Sequence, residues 1–359
     1  MDFSHILNSK KLTLSVVLSV FLSLFACKSF AIQSENETVK EKNAKEEVFN
    51  PTTAILEHIG DSHYWHVGGE LSFPLPVIIF TDGGLETFSA AEFHHGEAAY
   101  QGKYHTYKLV EDKIRVVDAN GAVDKEASHH IYDFSITKNV VALWIAGILL
   151  LVIFFAVAGG YKKRTGKAPK GLQSFIEPII LFVRDEIARP NIGYRYQKYM
   201  PILLTIFFFI WMNNLLGLIP IFPGGANVTG NIMLTFMLSF VVMLIVNFSA
   251  NKYYWKHIFM PDVPLWLYPI MIPVELIGVI SKPFALMIRL YANISAGHII
   301  VLSLISLIFI FKSLWTSVVS VPFVVFMDVL ELLVAFLQAF IFTMLTALFI
   351  GTAVEEHHH

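Results

Sequence analysis

The chain contains 359 residues, of which 55% are hydrophobic and only 15% are charged, against roughly 25% charged residues in a typical soluble domain. With a mean hydropathy of +0.60, this composition indicates a membrane protein. The formal net charge of -2 gives none of the basic excess that nucleic-acid binding requires, so we expect no nucleic-acid partner. Cys27 is the single cysteine of the sequence, which excludes an intramolecular disulfide and a cysteine-based zinc site.

Residues 1–31 are typical of a secretory signal peptide. Lys10 and Lys11 precede an apolar run over 12–26, and a small-x-small cleavage site follows at 29–31. We therefore predict cleavage after Ala31. Cys27 also lies in a context like a lipoprotein cleavage box, so lipidation is the alternative, which the bulky Phe25 disfavours.

Residues 32–137 are predicted to form a small, partly β, extracytoplasmic domain in the periplasm. Its leader over 35–47 is charged and has too few apolar residues to order itself, so we expect disorder there. Alternating segments over 71–80 and 104–117, with Gly-containing turns at 82–84 and 120–121, predict short strands and hairpins.

Histidines crowd this domain, and His63 with His66 raises the possibility of a metal site. No third ligand lies at a diagnostic spacing, however. We therefore predict a solvated, histidine-rich surface and no bound metal.

Residues 138–359 are predicted to form an all-α, polytopic membrane domain with about five membrane segments. Residues 140–160 are uninterruptedly apolar over about the 20 positions that a bilayer core requires. A cationic cluster follows and is predicted to stay in the cytoplasm: Lys162, Lys163, Arg164, Lys167 and Lys170. This topology places the N-terminal domain outside and, after five crossings, the C-terminus in the cytoplasm of a bacterial inner-membrane protein.

The next apolar segments differ in length. Residues 171–189 carry an apolar stripe that fits a helix lying in the cytoplasmic interface: Leu172, Phe175, Ile176, Ile179, Phe182 and Val183. Residues 200–219 and 232–247 fit two spans. Residues 274–311 and 314–350 are too long: an unbroken helix over either exceeds about 50 Å, against a hydrocarbon core of about 30 Å. We therefore predict two long, strongly tilted helices joined near Lys312.

Arg289 lies deep in the first of these long runs, where a guanidinium costs at least about 2.5 kcal/mol and keeps its proton. The alternative is that Arg289 reaches a lipid headgroup, but apolar sequence continues well beyond it, which favours a functional role. Ala285, Ala292, Asn293 and Ala296 share its helical face, so another helix can approach closely there.

A second polar face lies on the last helix, where Asp328, Glu331, Ala335 and Gln338 recur at helical spacing. Such a row predicts a wet passage or a cationic partner, the alternative being side chains that satisfy one another inside a bundle. On the first long helix, Glu275 lies nearly four turns before Arg289 and shares its face if the helix is straight, an inference that Pro283 weakens.

Two long motifs make a resemblance plain. Residues 281–298 (SKPFALMIRLYANISAGH) and 337–346 (LQAFIFTMLT) resemble the two signature helices of subunit a of the F-type ATP synthase. Supporting matches are residues 184–191 (RDEIARPN), 212–220 (MNNLLGLIP) and 227–231 (NVTGN). The likeness runs from about residue 138 to the C-terminus, and the signal peptide and exported domain depart from the shorter family members.

The resemblance implies that Arg289 is the stator arginine facing a ring of c subunits, with Asn293 beside it and Gln338 opposite. Relatives often carry an acid nine residues after the arginine and a histidine seven before the glutamine, whereas this chain has His298 and Glu331, the reverse order. Either order supplies one carboxylate and one imidazole to a shared proton path.

The resemblance also assigns Glu275 to a cytoplasmic half-channel and Asn231 to a polar position near the opposite opening. Its implied partners are the c-subunit ring, the b-subunit peripheral stalk, other ATP synthase subunits and membrane lipids. We expect no catalysis by the chain itself and no cofactor, since the sequence has no Gly-rich phosphate loop ending in Gly-Lys-Ser or Gly-Lys-Thr.

Two other functions are alternatives. A secondary, proton-coupled transporter would show paired, similarly interrupted helices in two repeats, and the early spans lack counterparts of the Arg289 and Glu331 helices. An adhesion or metal-scavenging domain on a passive anchor would not need five membrane segments with charges inside them.

Overall fold

The structure, a computed structural model, describes residues 51, 52, 55, 59–68, 71–110, 112–118, 121–164, 166–219, 224–261 and 263–355. The predicted signal peptide with Cys27, the charged leader over 35–47 and the last four residues lie outside the described residues, as does the side chain of His66.

The N-terminal domain is built from short antiparallel strands in three small sheets. Strands β1 and β2 form the first, the order β4-β3-β8 the second, and β5-β6-β7 the third. The strands are β1 Tyr64–Gly68, β2 Leu71–Pro74, β3 Pro76–Thr81, β4 Gly84–Ser89, β5 Ala99–Gln101, β6 Thr106–Val110, β7 Lys113–Val117 and β8 Tyr132–Asp133. A short helix, α1 (Lys125–His129), follows β7. Val77, Ile79, Phe93 and Tyr107 form the centre of the domain core.

The predicted hairpin turns are confirmed in part. Thr81 pairs with Gly84 across the turn that joins β3 to β4, where Gly84 has a φ of +127°, a conformation that favours glycine. The segment 104–117, expected to run as far as its turn at 120–121, contains a hairpin of its own, because Asp112 (φ 58°) reverses the chain between β6 and β7.

Helix α2 (Lys138–Lys163) is the first membrane span and extends the predicted segment by two or three residues at each end. Its side chains Ile148, Val152 and Phe155 are exposed on the outside of the bundle. Lipid tails are as apolar as a protein core. Exposed apolar side chains on the outside of a membrane helix are therefore not unfavourable.

A nearly continuous helical stretch follows, comprising α3 (Leu172–Phe182), a π-helical segment (Val183–Ala188), α4 (Arg189–Ile192), a 3-10 turn (Gly193–Arg195) and α5 (Tyr196–Leu218). The predicted stripe is buried in part: Ile176, and Val183 in the following π-helical segment, are buried, whereas Leu172 and Phe175 are exposed. The apolar pattern alone does not identify the packed side, because lipid and protein are equally apolar surroundings for leucine and phenylalanine.

The remaining helices are α6 (Ile232–Ser249), α7 (Lys252–Phe259), α8 (Tyr268–Phe311) and α9 (Leu314–Val354), with a 3-10 turn at Leu265–Leu267. The prediction of two very long C-terminal helices is confirmed: α8 has 44 residues and α9 has 41, which at about 1.5 Å per residue exceeds 60 Å each. They meet at Lys312, whose φ of 47° is left-handed.

Helix α5 lies at the centre of the bundle, between α2 and α9, and α8 packs along α9 and α6. Five helices of the described residues are long and apolar enough to cross a membrane, as predicted. They differ in packing: the most apolar window of Leu172–Leu218 is 61% buried, and that of α8 only 17%. Helix α8 therefore presents the least covered surface of the bundle.

Candidate functional site

Arg289 lies on the uncovered side of α8. Its neighbours at helical spacing, Ala285, Ala292, Asn293 and Ala296, are all exposed, while Leu286, Met287, Leu290 and Ile294 on the opposite side are buried against α6 and α9. The small-residue face predicted from the sequence is therefore an open surface of the chain, with one guanidinium in it.

Among the described residues, Arg289 has neither a hydrogen bond nor a salt bridge. A guanidinium at membrane depth is costly unless water or a carboxylate accompanies it. The chain itself supplies no such carboxylate within its described part, so the charge at this surface is available to something outside the chain.

His298 and Glu331 are in direct contact between α8 and α9. A hydrogen bond joins His298 Nδ1 to Glu331 Oε1, and the two side chains are only 14% and 6% exposed. A nearly buried imidazole and a carboxylate in contact can pass a proton from one to the other, because each of the two groups can both bind and release one. The pairing expected from the reversed order of the two residues is present in the fold.

Gly297 makes this contact possible and was not singled out from the sequence. A Cβ at this position would lie 2.8 Å from Glu331 Oε1 and 3.0 Å from its Cδ. A larger residue would therefore displace the carboxylate. The signal in the sequence is the run of small residues, Ser295 to Gly297, directly before His298.

A buried amide network lies one helical turn along α9 from Glu331. Asn214 Nδ2 donates to the Ala335 carbonyl oxygen at 3.2 Å, and Thr229 Oγ1 donates to Asn214 Oδ1 at 2.7 Å. Asn213 Nδ2 donates to the Phe209 carbonyl at 2.8 Å. Asn213 and Asn214 lie in the motif at 212–220 and Thr229 in the motif at 227–231, but the pairing of these side chains depends on tertiary packing.

Asn231 begins α6 and caps it. Its side-chain oxygen accepts from the backbone N–H groups of Met233 (3.0 Å) and Leu234 (3.4 Å), as an asparagine N-cap does. No hydrogen bond in the described part of the chain joins Asn231 to His298 or Glu331.

The polar face predicted on α9 is only partly buried. Glu331, Ala335 and Gln338 are buried within the bundle, whereas Asp328 is exposed. The difference arises because the first half of α9 carries many exposed side chains, among them Val318, Phe323 and Phe326, and packs less than the second half.

Gln338 lies near the depth of Arg289. Helices α8 and α9 are antiparallel across the turn at Lys312 and touch at His298 and Glu331. Arg289 is nine residues from His298 and Gln338 seven from Glu331, which is about 13 and 10 Å along the helices. Arg289 is exposed and Gln338 is 3% exposed, and no hydrogen bond joins them among the described residues.

Glu275 lies near the start of α8, half-buried beside α7. Burial raises the pKa of the Tyr254 phenol, and the negative charge of Glu275 adds to the effect. A pocket between α6, α7, α8 and α9 opens nearby, lined by Asn247, Tyr254, Lys282 and Phe349 among others. Lys282 Nζ lies 5.5 Å from the centre of the Phe349 ring.

In the N-terminal domain, His63 Nε2 lies 3.3 Å from Asp133 Oδ2. No group of three metal-ligating side chains occurs in the described part of the chain. His63 is 3% exposed, so it belongs to the domain interior and not to the solvated surface that the sequence predicted.

Fold and site together define a polytopic membrane protein that holds an acid and an imidazole in contact inside its helix bundle and an unpaired arginine on its open face. The family model described as ATP synthase A chain matches residues 140–351, which is more than half of the sequence. The chain belongs to this family.

Individual proteins of similar sequence support the assignment to this family. ATP synthase subunit a of Chloroherpeton thalassium is 47% identical over 233 residues, covering 64% of this chain and 69% of that protein. ATP synthase subunit a 2 of Chlorobaculum tepidum is 50% identical over 233 residues, covering 63% and 65%. ATP synthase subunit a of Chlorobium phaeobacteroides is 43% identical over 286 residues, covering 75% and 82%.

A second family model, described as a domain of unknown function, matches residues 54–134. The two matched ranges follow one another along the chain, one on the β-rich domain and one on the helical bundle.

Proposed function

We propose that the chain is the proton-conducting stator subunit of a rotary F-type ATP synthase, with no catalytic activity of its own. The single observation that carries the proposal is the unpaired Arg289 on an exposed, small-residue face of α8, in a chain whose relatives are named ATP synthase subunit a. A ring of c subunits with acidic side chains is the partner that complements this face.

Arg289 separates two half-channels. A fixed cation within about 4 to 6 Å lowers the pKa of a passing carboxylate and so favours its ionised form. The guanidinium is permanently charged and has no acceptor lone pair, so a proton does not hop through it. Each c-subunit carboxylate therefore releases its proton on one side of Arg289 and takes up another on the opposite side. Asn293, one turn further on the same exposed face, and Gln338, at a similar depth on α9, flank this position.

The exported-side half-channel leads past Asn231 to His298 and Glu331. The contact between the imidazole and the carboxylate supports this route, as do the polar side chains of Asn214 and Thr229 that lie beside it. The cytoplasmic half-channel opens near Glu275. Each elementary charge that crosses 100 mV releases about 2.3 kcal/mol, which the rotor makes available to the nucleotide-binding subunits.

The orientation follows from charge. The cationic cluster after α2, from Lys162 to Lys170, belongs in the cytoplasm, so residues 32–137 form the periplasmic domain after removal of a signal peptide at 1–31. The membrane domain, 138–359, then ends in the cytoplasm. With this topology Asn231 lies toward the periplasm and Glu275 toward the cytoplasm, as the two half-channels require. The peripheral stalk of b subunits completes the stator, and α3 lies along the cytoplasmic interface.

The alternative of a secondary proton-coupled transporter has no observation in its favour. Such folds place their site between repeats with matched helix breaks, whereas the early spans here have no counterparts of the Arg289 and Glu331 helices.

The proposal is tested by Arg289→Ala in membranes that contain the assembled complex. ATP-driven acidification, followed with a pH-sensitive dye, is expected to fall to background, because protons then pass between the half-channels without rotation. The complex itself is expected to assemble, since Arg289 has no partner within the described chain.

Lys312→Asn is the matched control, because it removes a cation of the same helix at its far end and asparagine tolerates the left-handed conformation there. It is expected to pump normally. Normal coupled pumping by Arg289→Ala would contradict the proposed role of the arginine.

A further inference from the structure

A group of titratable side chains joins the N-terminal domain to the first membrane helix. We call it the junction cluster: Asp61, His63, Asp112, Asp133 and Lys138. These residues come from the segment before β1, the turn between β6 and β7, strand β8 and the first turn of α2. None of them belongs to the proposed proton path.

Asp61 caps α2 from a distance. Thr137, the N-cap residue, makes no side-chain capping bond. Instead, Asp61 Oδ1 accepts from the Asn139 backbone N–H at 3.2 Å, and Asp61 Oδ2 accepts from Thr137 Oγ1 at 2.8 Å. The Lys138 backbone N–H donates to the Ser62 carbonyl at 2.9 Å. The segment before β1 therefore holds the N-terminus of the membrane helix, where a carboxylate is favourable.

His63 and Asp112 extend this attachment. His63 Nε2 donates to Asp133 Oδ2 at 3.3 Å, and Ser62 Oγ donates to Asp112 Oδ1 at 2.9 Å. Asp133 is itself fixed, because its Oδ1 accepts from the Ser135 backbone N–H at 2.8 Å. Beside the cluster, Trp65 of β1 packs into the same apolar core as Ala142 and Leu143 of α2.

The charges of the cluster do not balance when His63 is neutral. Three carboxylates and one ammonium then leave two negative charges in a partly buried site, and protonation of the imidazole leaves one. The second proton enters at Nδ1, which is buried and has no hydrogen-bond partner among the described residues. A nearby carboxylate favours the charged form of an imidazole, and the charges of three face this ring: Asp133, Asp61 and Asp112.

We propose that the junction cluster is a pH-dependent clamp, which fastens the N-terminal domain to α2 while His63 is protonated and loosens when that proton is lost.

The directions of the pKa shifts of His63 and Asp61 agree with a clamp that loosens as the pH rises. Burial lowers the pKa of His63, but the hydrogen bond and charge of Asp133, together with the charges of Asp61 and Asp112, outweigh burial and raise the pKa above its ordinary value of 6.5. Its stabilising contribution is therefore complete below that value and is lost as the pH rises through the folded-state pKa. Burial raises the pKa of Asp61, so its contribution is also lost with rising pH.

Asp133 determines the lower end of the pH range in which the clamp is stable. Burial opposes its ionisation, but the hydrogen bond from His63 lowers the pKa of Asp133 below its ordinary value of 3.8. Its contribution is present above that value and is lost in stronger acid. The clamp is consequently tightest in mild acid and opens in alkali.

Hydrogen exchange of the full chain, in the assembled complex, tests the proposal. The segments 61–66 and 134–142 are expected to lose protection between pH 6 and pH 8.5, after correction for intrinsic exchange, because loss of the His63 proton raises the net negative charge of the buried cluster from one to two. Strand β7 (Lys113–Val117) serves as the internal reference and is expected to change little.

His63→Gln keeps a donor toward Asp133 but does not titrate, so its loss of protection over this pH range is expected to be smaller than that of the unmodified chain. His129→Gln, an exposed histidine of the same domain, is the matched control and is expected to behave as the unmodified chain. If His63→Gln does not fold, Asp133→Asn is used in its place, because it removes the carboxylate of the same His63–Asp133 pair. Protection that stays constant or rises with pH in the unmodified chain, or is altered equally by His129→Gln, would overturn the proposal.

Discussion

The contact between His298 and Glu331 shows how two residues separated by 33 positions form one chemical unit. Each is nearly buried, and each provides the partner that the other needs inside an apolar bundle. Removing one leaves the other unpaired, which costs about 1 to 3 kcal/mol for a buried polar group. Exchanging them retains both groups and the contact.

This argument gives a prediction for proton flux. His298→Ala and Glu331→Ala are each expected to slow passive proton conductance through the membrane sector more than the double exchange His298→Glu with Glu331→His, because the exchanged chain still holds an acid beside an imidazole. Dye-monitored proton leakage from vesicles after removal of the catalytic sector measures the three variants side by side. Equal impairment of all three would exclude a shared path.

Asn231 influences a whole element, helix α6, because it caps the start of that helix. Its side chain satisfies two backbone N–H groups at the start of α6, and this helix packs against both α8 and α9. A role in capping and a role at the opening of a half-channel predict different results for the same substitutions.

Asn231→Ala is expected to destabilise the chain by about 1 kcal/mol, the usual cost of losing an N-cap, whereas Asn231→Ser keeps a capping oxygen and is expected to cost much less. Apparent melting midpoints of the purified complex, recorded at one scan rate, measure the difference. If serine lowers the midpoint as far as alanine does, capping is not what Asn231 contributes.

Helices α8 and α9 also show what local sequence determines well. Their lengths follow from long, predominantly apolar runs in the sequence. Pro273 and Pro283 lie inside α8 without ending it. The predicted ends of α9 and the join at Lys312 agree with the structure within a few residues. The stripe predicted on α3 contains both buried and exposed residues, since lipid and protein are equally apolar surroundings for such side chains.

At the scale of the whole molecule, α8 is the least buried of the long apolar helices in the described chain, and small residues surround Arg289 on its exposed face. Small side chains allow close approach of another helix within the membrane. We therefore expect the c-subunit ring to pass directly over this face.

Cysteine cross-linking tests this arrangement. Ala292→Cys, on the exposed face of α8, is expected to form a disulfide with a cysteine placed beside the c-subunit carboxylate under mild oxidation. Ile148→Cys, on the exposed side of α2, is the control and is expected to form none. Cross-linking of the control in place of Ala292→Cys would assign the ring to a different side of the bundle.

The sequence by itself determined that this is a polytopic membrane protein with a β-containing N-terminal domain, where its spans lie, and which family its motifs resemble. These properties depend on composition, on apolar length matched to the bilayer, and on residues close together along the chain. The tertiary structure decided which side chains meet: His298 with Glu331, Asn214 with Thr229, and Asp61 with the first turn of α2. Such contacts join segments up to 121 residues apart, and no local pattern encodes them, because their partners are set by how the helices and the domain pack.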